Sequence, residues 1–187
     1  MEHAPSTPSA FAGSPVDNRV ASADTRATAT TGSAASSRVA LVTGAGKRLG
    51  RAIALALAQD GWDIGVHCRD SVVEAEQTVK DIQALGRRAV VLQANLDDAG
   101  QCQTLVPRLA DALGPVSGLV NSASRFEYDD IRSFTPESLH EHLLPNLMAP
   151  LLLAQSLVSQ LPAAPVQGVI VNLLDQKLFN LNPDFLS

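Results

Sequence analysis

The chain has 187 residues, a formal net charge of -5 and 45% hydrophobic residues. That is enough for one ordinary domain with a core, and the negative balance argues against a nucleic-acid partner. No apolar run approaches the ~20 residues that span a bilayer. The two cysteines, Cys68 and Cys102, lack metal-ligand spacing, so no metal is expected and a reduced, cytoplasmic setting is the simple reading.

Residues 1–37 differ in kind. Ala, Ser, Thr and Pro fill most of them, and the only large apolar residues are Met1, Phe11, Val16 and Val20. Such a segment cannot bury enough surface to offset its ordering entropy, so a disordered leader is expected. From Arg38 onward, short apolar runs alternate with helical patterns, which predicts βαβ units and a parallel sheet. The first strand is expected over about 38–43 and the first helix over about 48–60, closed by Gly61. Leu49, Ile53 and Leu57, with Ala52 and Ala56 beside them, mark its apolar face. A second strand is expected over Trp62–His67. Ser71-Val72-Val73-Glu74 then fits a capping box, with an inward stripe at Val72, Ala75, Val79, Ile82 and Leu85. Ala89–Leu92 reads as the third strand. Asp97 or Asp98 caps a helix to about Leu113, with Leu105 and Leu109 inward. Gly118–Val120 reads as the fourth strand. Thr135-Pro136-Glu137 opens a helix that runs to about Leu161, with a kink near Asn146 where Pro145 and Pro150 interrupt it. Gly168–Leu174 is the fifth strand, and the rest reads as loop.

The chemistry gathers around Thr43-Gly44-Ala45-Gly46-Lys47-Arg48-Leu49-Gly50. A strand, a glycine turn and a helix N-terminus form a phosphate cradle, because glycines let the backbone come close and free N–H groups favour an anion. Lys47 and Arg48 stand where either could reach phosphates. The end of the second strand tells dinucleotides apart: an acid binds a ribose 2′-hydroxyl, and a basic residue accommodates a 2′-phosphate. Here Arg69 and Ser71 suit a phosphate with His67 as a helper, whereas Asp70 could serve a hydroxyl. The balance favours NADP over NAD.

With these residues the chain resembles the short-chain dehydrogenase/reductase family, and within it the pteridine reductase branch. Thr43, Gly44 and Gly50 match the family's Thr-Gly-x-x-x-Gly-x-Gly turn, while Arg48 stands at its middle glycine. The branch has that same arginine, where it contacts cofactor and substrate. Asn121-Ser122-Ala123-Ser124 resembles the family's Asn-Asn-Ala-Gly, and Ser124-Arg125-Phe126 the branch's Ser-x-Phe. The resemblance implies that Ser124 contacts cofactor and pterin, and that Phe126 stacks the pterin against the nicotinamide. It also implies that Asn146 is the catalytic asparagine holding a water in a proton relay. Asp175 takes the place of a serine that most members have, and would relay a proton to a ring nitrogen. Asn95 sits where an Asp often lies near the adenine. Leu49, Leu96, Asn121 and Ala123 complete the implied cofactor set, and Arg48, Ser124, Phe126 and Asp175 the substrate set.

The fold implied is an α/β, Rossmann-type doubly wound parallel sheet of about five strands, incomplete on its C-terminal side. Residues 38–187 would be an NADP-binding domain. The function implied is NADPH-dependent reduction of a pterin or dihydrofolate-type C=N bond. A general carbonyl reductase and a non-catalytic NADP-binding fragment are the alternatives. The family's Tyr-x-x-x-Lys would lie at or just beyond Ser187; the lone tyrosine, Tyr128, has Arg132 four residues on. The 187-residue chain is therefore expected to be a truncated, inactive form with an exposed fifth strand, and a homo-oligomer is expected only of a longer form.

Overall fold

The computed structural model describes residues 38–161 and 167–175. The leader expected over 1–37 and the loop expected beyond Asp175 lie outside the described residues.

Strands β1 (Arg38–Val42), β2 (Trp62–Cys68), β3 (Ala89–Gln93), β4 (Val116–Asn121) and β5 (Val169–Asn172) form one sheet in the order β3-β2-β1-β4-β5. Every pairing is parallel, with Val42 opposite Val66 on one side and Val120 on the other. Helices α1 (Arg48–Gln59), α2 (Val72–Ala84) and α3 (Ala99–Leu113) make the crossovers. Because successive strand side chains point to opposite faces, β1 feeds two cores. Ala40 and Val42 join Ala54 and Ala58 of α1 and Ala75 and Ile82 of α2. Val39 and Leu41 join Leu105 and Leu109 of α3 on the other face. Gly65 of β2 makes room for that second layer, since a Cβ there would lie 2.7 Å from a Leu109 methyl.

Two local expectations are corrected. The buried row of α1 is Gly50, Ala54 and Ala58, whereas Leu49 is 59% exposed. Small residues on that row let the helix lie close on the sheet, and Ile53 and Leu57 fill its flanks. The capping box at α2 does not form: the Ser71 side chain makes no cap hydrogen bond, and Glu74 instead pairs with Lys47 at 2.7 Å.

The long fourth helix is broken where the prolines fall. It comprises α4 (Pro136–Leu143), a π segment (Leu144–Met148) and α5 (Ala149–Gln160). At its start Thr135 Oγ1 accepts from the Ser138 N–H at 3.1 Å, and Ser138 Oγ accepts from the Thr135 N–H at 3.2 Å. Leu153 and Leu157 of α5 seat it in the α3 layer. β5 is the outer strand beside β4, and Val169, Ile170 and Val171 are exposed.

Candidate functional site

The C-terminal ends of all five strands point the same way, so the segments that follow them gather at one edge of the sheet. The turn after β1 is held from below by Thr43, which is buried. Its Oγ1 accepts from the Ser122 and Ala123 N–H groups, each at 3.0 Å, and thereby ties the turn to the loop after β4. Gly44 lies at φ 65, and a Cβ on it would come within 3.1 Å of the Ala123 Cα. A Cβ at Gly50 would lie 2.3 Å from the Gly44 carbonyl oxygen. The turn thus has no room for side chains at Gly44 and Gly50. No side chain caps the first turn of α1, so its N–H groups are left for an anion.

Arg48 is the described non-glycine residue with positive φ, at 51. Left-handed backbone costs an L-residue roughly 1–2 kcal/mol, and retained strain of this kind gathers at functional loops.

The structure corrects the role expected for His67. Its side chain is buried, at 2% exposure. Nδ1 accepts from the Gly44 N–H at 3.2 Å, which leaves the proton on Nε2 to be donated to the Ala94 carbonyl, also at 3.2 Å. Burial pushes the imidazole down to about 4; the Ala94 contact opposes this, and the Arg108 charge adds to it. His67 is therefore a neutral brace between turn, β2 and β3, and does not stand at the rim. The Ala45 N–H donates to the His67 carbonyl at 2.9 Å and doubles the tie.

Arg69, Asp70 and Ser71 do lie at the rim. Arg69 Nε donates to Asp70 at 2.7 Å, and Ser71 Oγ is 3.0 Å from where a Gly46 Cβ would lie. Beyond them an open groove of about 330 Å³ is lined by Arg69, Asp70, Gln93, Ala94, Asn95 and Gln101. Asn95 Oδ1 accepts from the Asp97 N–H at 3.1 Å, and its own N–H donates to Gln101 at 2.8 Å. The Leu96 side chain belongs to the core, so only its backbone is left for a ligand. Asn121 is buried and turned toward β5, where its Nδ2 donates to Asn172 Oδ1 at 2.7 Å.

The loop after β4 carries exposed Ser124 and Phe126, the latter 62% exposed. It is fastened to the broken helix at two points. Asn146 Oδ1 accepts from the Arg125 N–H, and its Nδ2 donates to the Arg125 carbonyl, both at 2.8 Å. His142 Nε2 accepts from the Glu127 N–H at 3.1 Å, while Nδ1 donates to the Ser138 carbonyl at 2.8 Å. Arg125 adds ion pairs to Glu141 at 2.6 Å and Glu127 at 2.9 Å. The Asn146 amide is thus spent on the loop. Its carbonyl is a separate matter: Pro150 has no N–H, so the carbonyl four residues earlier has no α-helical donor. Asp175 is exposed and follows β5, and the Leu173 N–H donates to the Asn121 carbonyl at 3.0 Å. That bond brings the segments leaving β4 and β5 to adjacent places on the sheet edge.

His142 and Glu141 escaped the sequence reading, and Glu74 was assigned to a cap when its partner is Lys47. Each acts through a partner on another element; the His142–Glu127 pair, spanning a loop and a helix, has no periodic signature.

A family model for short chain dehydrogenases matches residues 38–177. An uncharacterized oxidoreductase of Methylorubrum extorquens is 34% identical, over 73% of this chain and 54% of its own length. A 3-oxoacyl-[acyl-carrier-protein] reductase of Staphylococcus aureus is 38% identical over 45% of this chain and 34% of its own. Among solved structures, the FolM alternative dihydrofolate reductase 1 of Brucella suis, in complex with NADP, superposes with a TM-score of 0.75 at 34% identity. That match covers 80% of this chain and 61% of that one. The chain thus spans about half the length, or less, of these curated relatives. With the matched residues running from β1 past the end of β5, this chain belongs to the short-chain dehydrogenase family.

Proposed function

We propose that this chain forms the dinucleotide-binding part of an NADP(H)-dependent reductase acting on a pterin or dihydrofolate-type C=N bond. The observation that carries the reading is Arg48, held at φ 51 on the lip of the cradle, where ordinary members have glycine. A strained cation at that place fits an anionic cofactor and a polar heterocycle together. The likeness to a dihydrofolate reductase crystallised with NADP supports it.

The residues fit a dinucleotide. Thr43, Gly44, Leu49 and Gly50 shape a cradle that added side chains would fill. Lys47, Arg48, Arg69 and Ser71 offer charge and hydrogen bonds to phosphates, Asn95 flanks the groove for an adenine, and Ala123, with Ser124 after it, packs against the turn at Gly44. The cofactor, when bound, supplies the hydride. The protein's part is to bind, orient and deliver protons. Phe126 offers an exposed ring for a flat substrate, Asp175 a carboxyl group at the same sheet edge, and the Asn146 carbonyl an acceptor for water. The free, buried thiols of Cys68 and Cys102 suit a reducing cytoplasm.

A second reading, reduction of a ketone, is favoured by the likeness to the 3-oxoacyl reductase. Titration of the NADPH-loaded chain separates the two. Binding of dihydrobiopterin or dihydrofolate that Phe126→Ala weakens supports the pterin reading. Binding of a 3-oxoacyl thioester alone would overturn it.

A further inference from the structure

Two of the cations at the cofactor rim, Lys47 and Arg69, already hold carboxylate partners. Lys47 Nζ lies 2.7 Å from Glu74 Oε1, and Arg69 Nε lies 2.7 Å from Asp70 Oδ2. Lys47 closes the glycine turn, and Glu74 sits in the first turn of α2, one turn past Ser71. Ser71 Oγ is 3.0 Å from the position a Gly46 Cβ would take, so this helix start abuts the turn. Arg69 and Asp70 also line the groove beside Asn95. Five rim residues, Lys47, Arg69, Asp70, Ser71 and Glu74, therefore carry two positive and two negative charges. Residues for either ribose are present at once: acids that accept from a 2′-hydroxyl, and bases that meet a 2′-phosphate.

We propose that Glu74 and Asp70 set the cofactor selectivity of this chain by holding Lys47 and Arg69 in ion pairs that a 2′-phosphate must displace. A phosphate that takes over the two bases leaves both carboxylates nearby and unpaired, so repulsion offsets much of the gain. A 2′-hydroxyl displaces neither pair and accepts the rim as it stands. NADP(H) keeps its advantage, but a small one, and NAD(H) binds as well. All four side chains are about half exposed or more, so the pairs exchange readily and their effect is screened by salt. The inference rests on the reading of the turn as a dinucleotide cradle.

Calorimetric titration of the 187-residue chain with NADP and with NAD tests it, with circular dichroism melts to confirm folding. The wild-type preference for NADP is expected within roughly tenfold, and Glu74→Gln and Asp70→Asn each raise the NADP-to-NAD affinity ratio roughly threefold. The gain shrinks as salt is raised from about 0.02 to 0.5 M, where the Debye length falls several-fold. Lys47→Gln moves the ratio the other way. A wild-type preference of a hundredfold, or a ratio that neither carboxylate variant moves, overturns the proposal and leaves the cradle reading intact. If the folded wild-type chain binds neither dinucleotide, the cradle reading falls with it.

Discussion

His67→Gln removes a titrating ring from the buried tie between the glycine turn and β3. It keeps a side chain that can accept from Gly44 and donate to Ala94. In the folded chain burial pushes the imidazole from its ordinary 6.5 down to about 4. The unfolded chain therefore holds more protons than the folded one between those two values. Stability from the neutral ring is fully present above pH 6.5 and is lost as pH falls toward 4. For a single site with these values the loss between about pH 7.5 and 5 is about 2 kcal/mol. Arg108 is the charged group that reinforces the shift. Other titrating groups are common to both proteins, so the difference between their curves isolates His67. Urea denaturation of wild type and His67→Gln at both pH values measures it. The wild type should lose about 2 kcal/mol more than the variant. Parallel curves for the two proteins would refute the reasoning, because they would mean that the ring is solvated or already charged.

Thr43→Val leaves the Ser122 and Ala123 N–H groups without their shared acceptor; urea denaturation should show a loss of about 2–4 kcal/mol, the cost of two unsatisfied donors. Arg48→Gly relieves the left-handed backbone at φ 51. The relief outweighs the greater unfolded-state freedom of glycine, so stability should rise by about 0.5–1 kcal/mol while NADP affinity falls. Asn146→Ala opens both hydrogen bonds to the Arg125 backbone. Hydrogen exchange at the Arg125 amide should quicken roughly fivefold, with β1 amides unaffected.

Strands, crossover helices and the turn could be read from apolar runs punctuated by glycine and by capping residues. The break in the fourth helix was equally open to reading, since Pro145 and Pro150 state it directly. The face of α1 was not. Leucines at 49, 53 and 57 carry the greater hydrophobicity, but the contact row belongs to Gly50, Ala54 and Ala58 because closeness to the sheet rewards small side chains. His67 was misplaced for a related reason. Its neighbours Arg69 and Ser71 follow the end of β2 at Cys68, whereas residue 67 lies inside a strand buried on both faces, and its acceptor duty depends on Gly44, a residue 23 positions away. Glu74 fitted a local capping pattern, and a tertiary partner, Lys47, took it instead. Asn146 was legible as a residue of interest, yet its hold on the Arg125 backbone comes from a loop 21 residues upstream.

The proline at 150 withdraws a donor without adding a polar group. The carbonyl it deprives of an α-helical donor, at Asn146, is written in the main chain, where every amino acid has the same oxygen. A side-chain substitution scan across 136–160 would therefore score position 146 for its clamp on the loop and pass over its carbonyl. The identity that governs that oxygen is encoded four positions later, in a residue whose own side chain takes no part. In such a helix, mutational maps assign importance to the wrong address, and Pro150→Ala is the substitution that would show it.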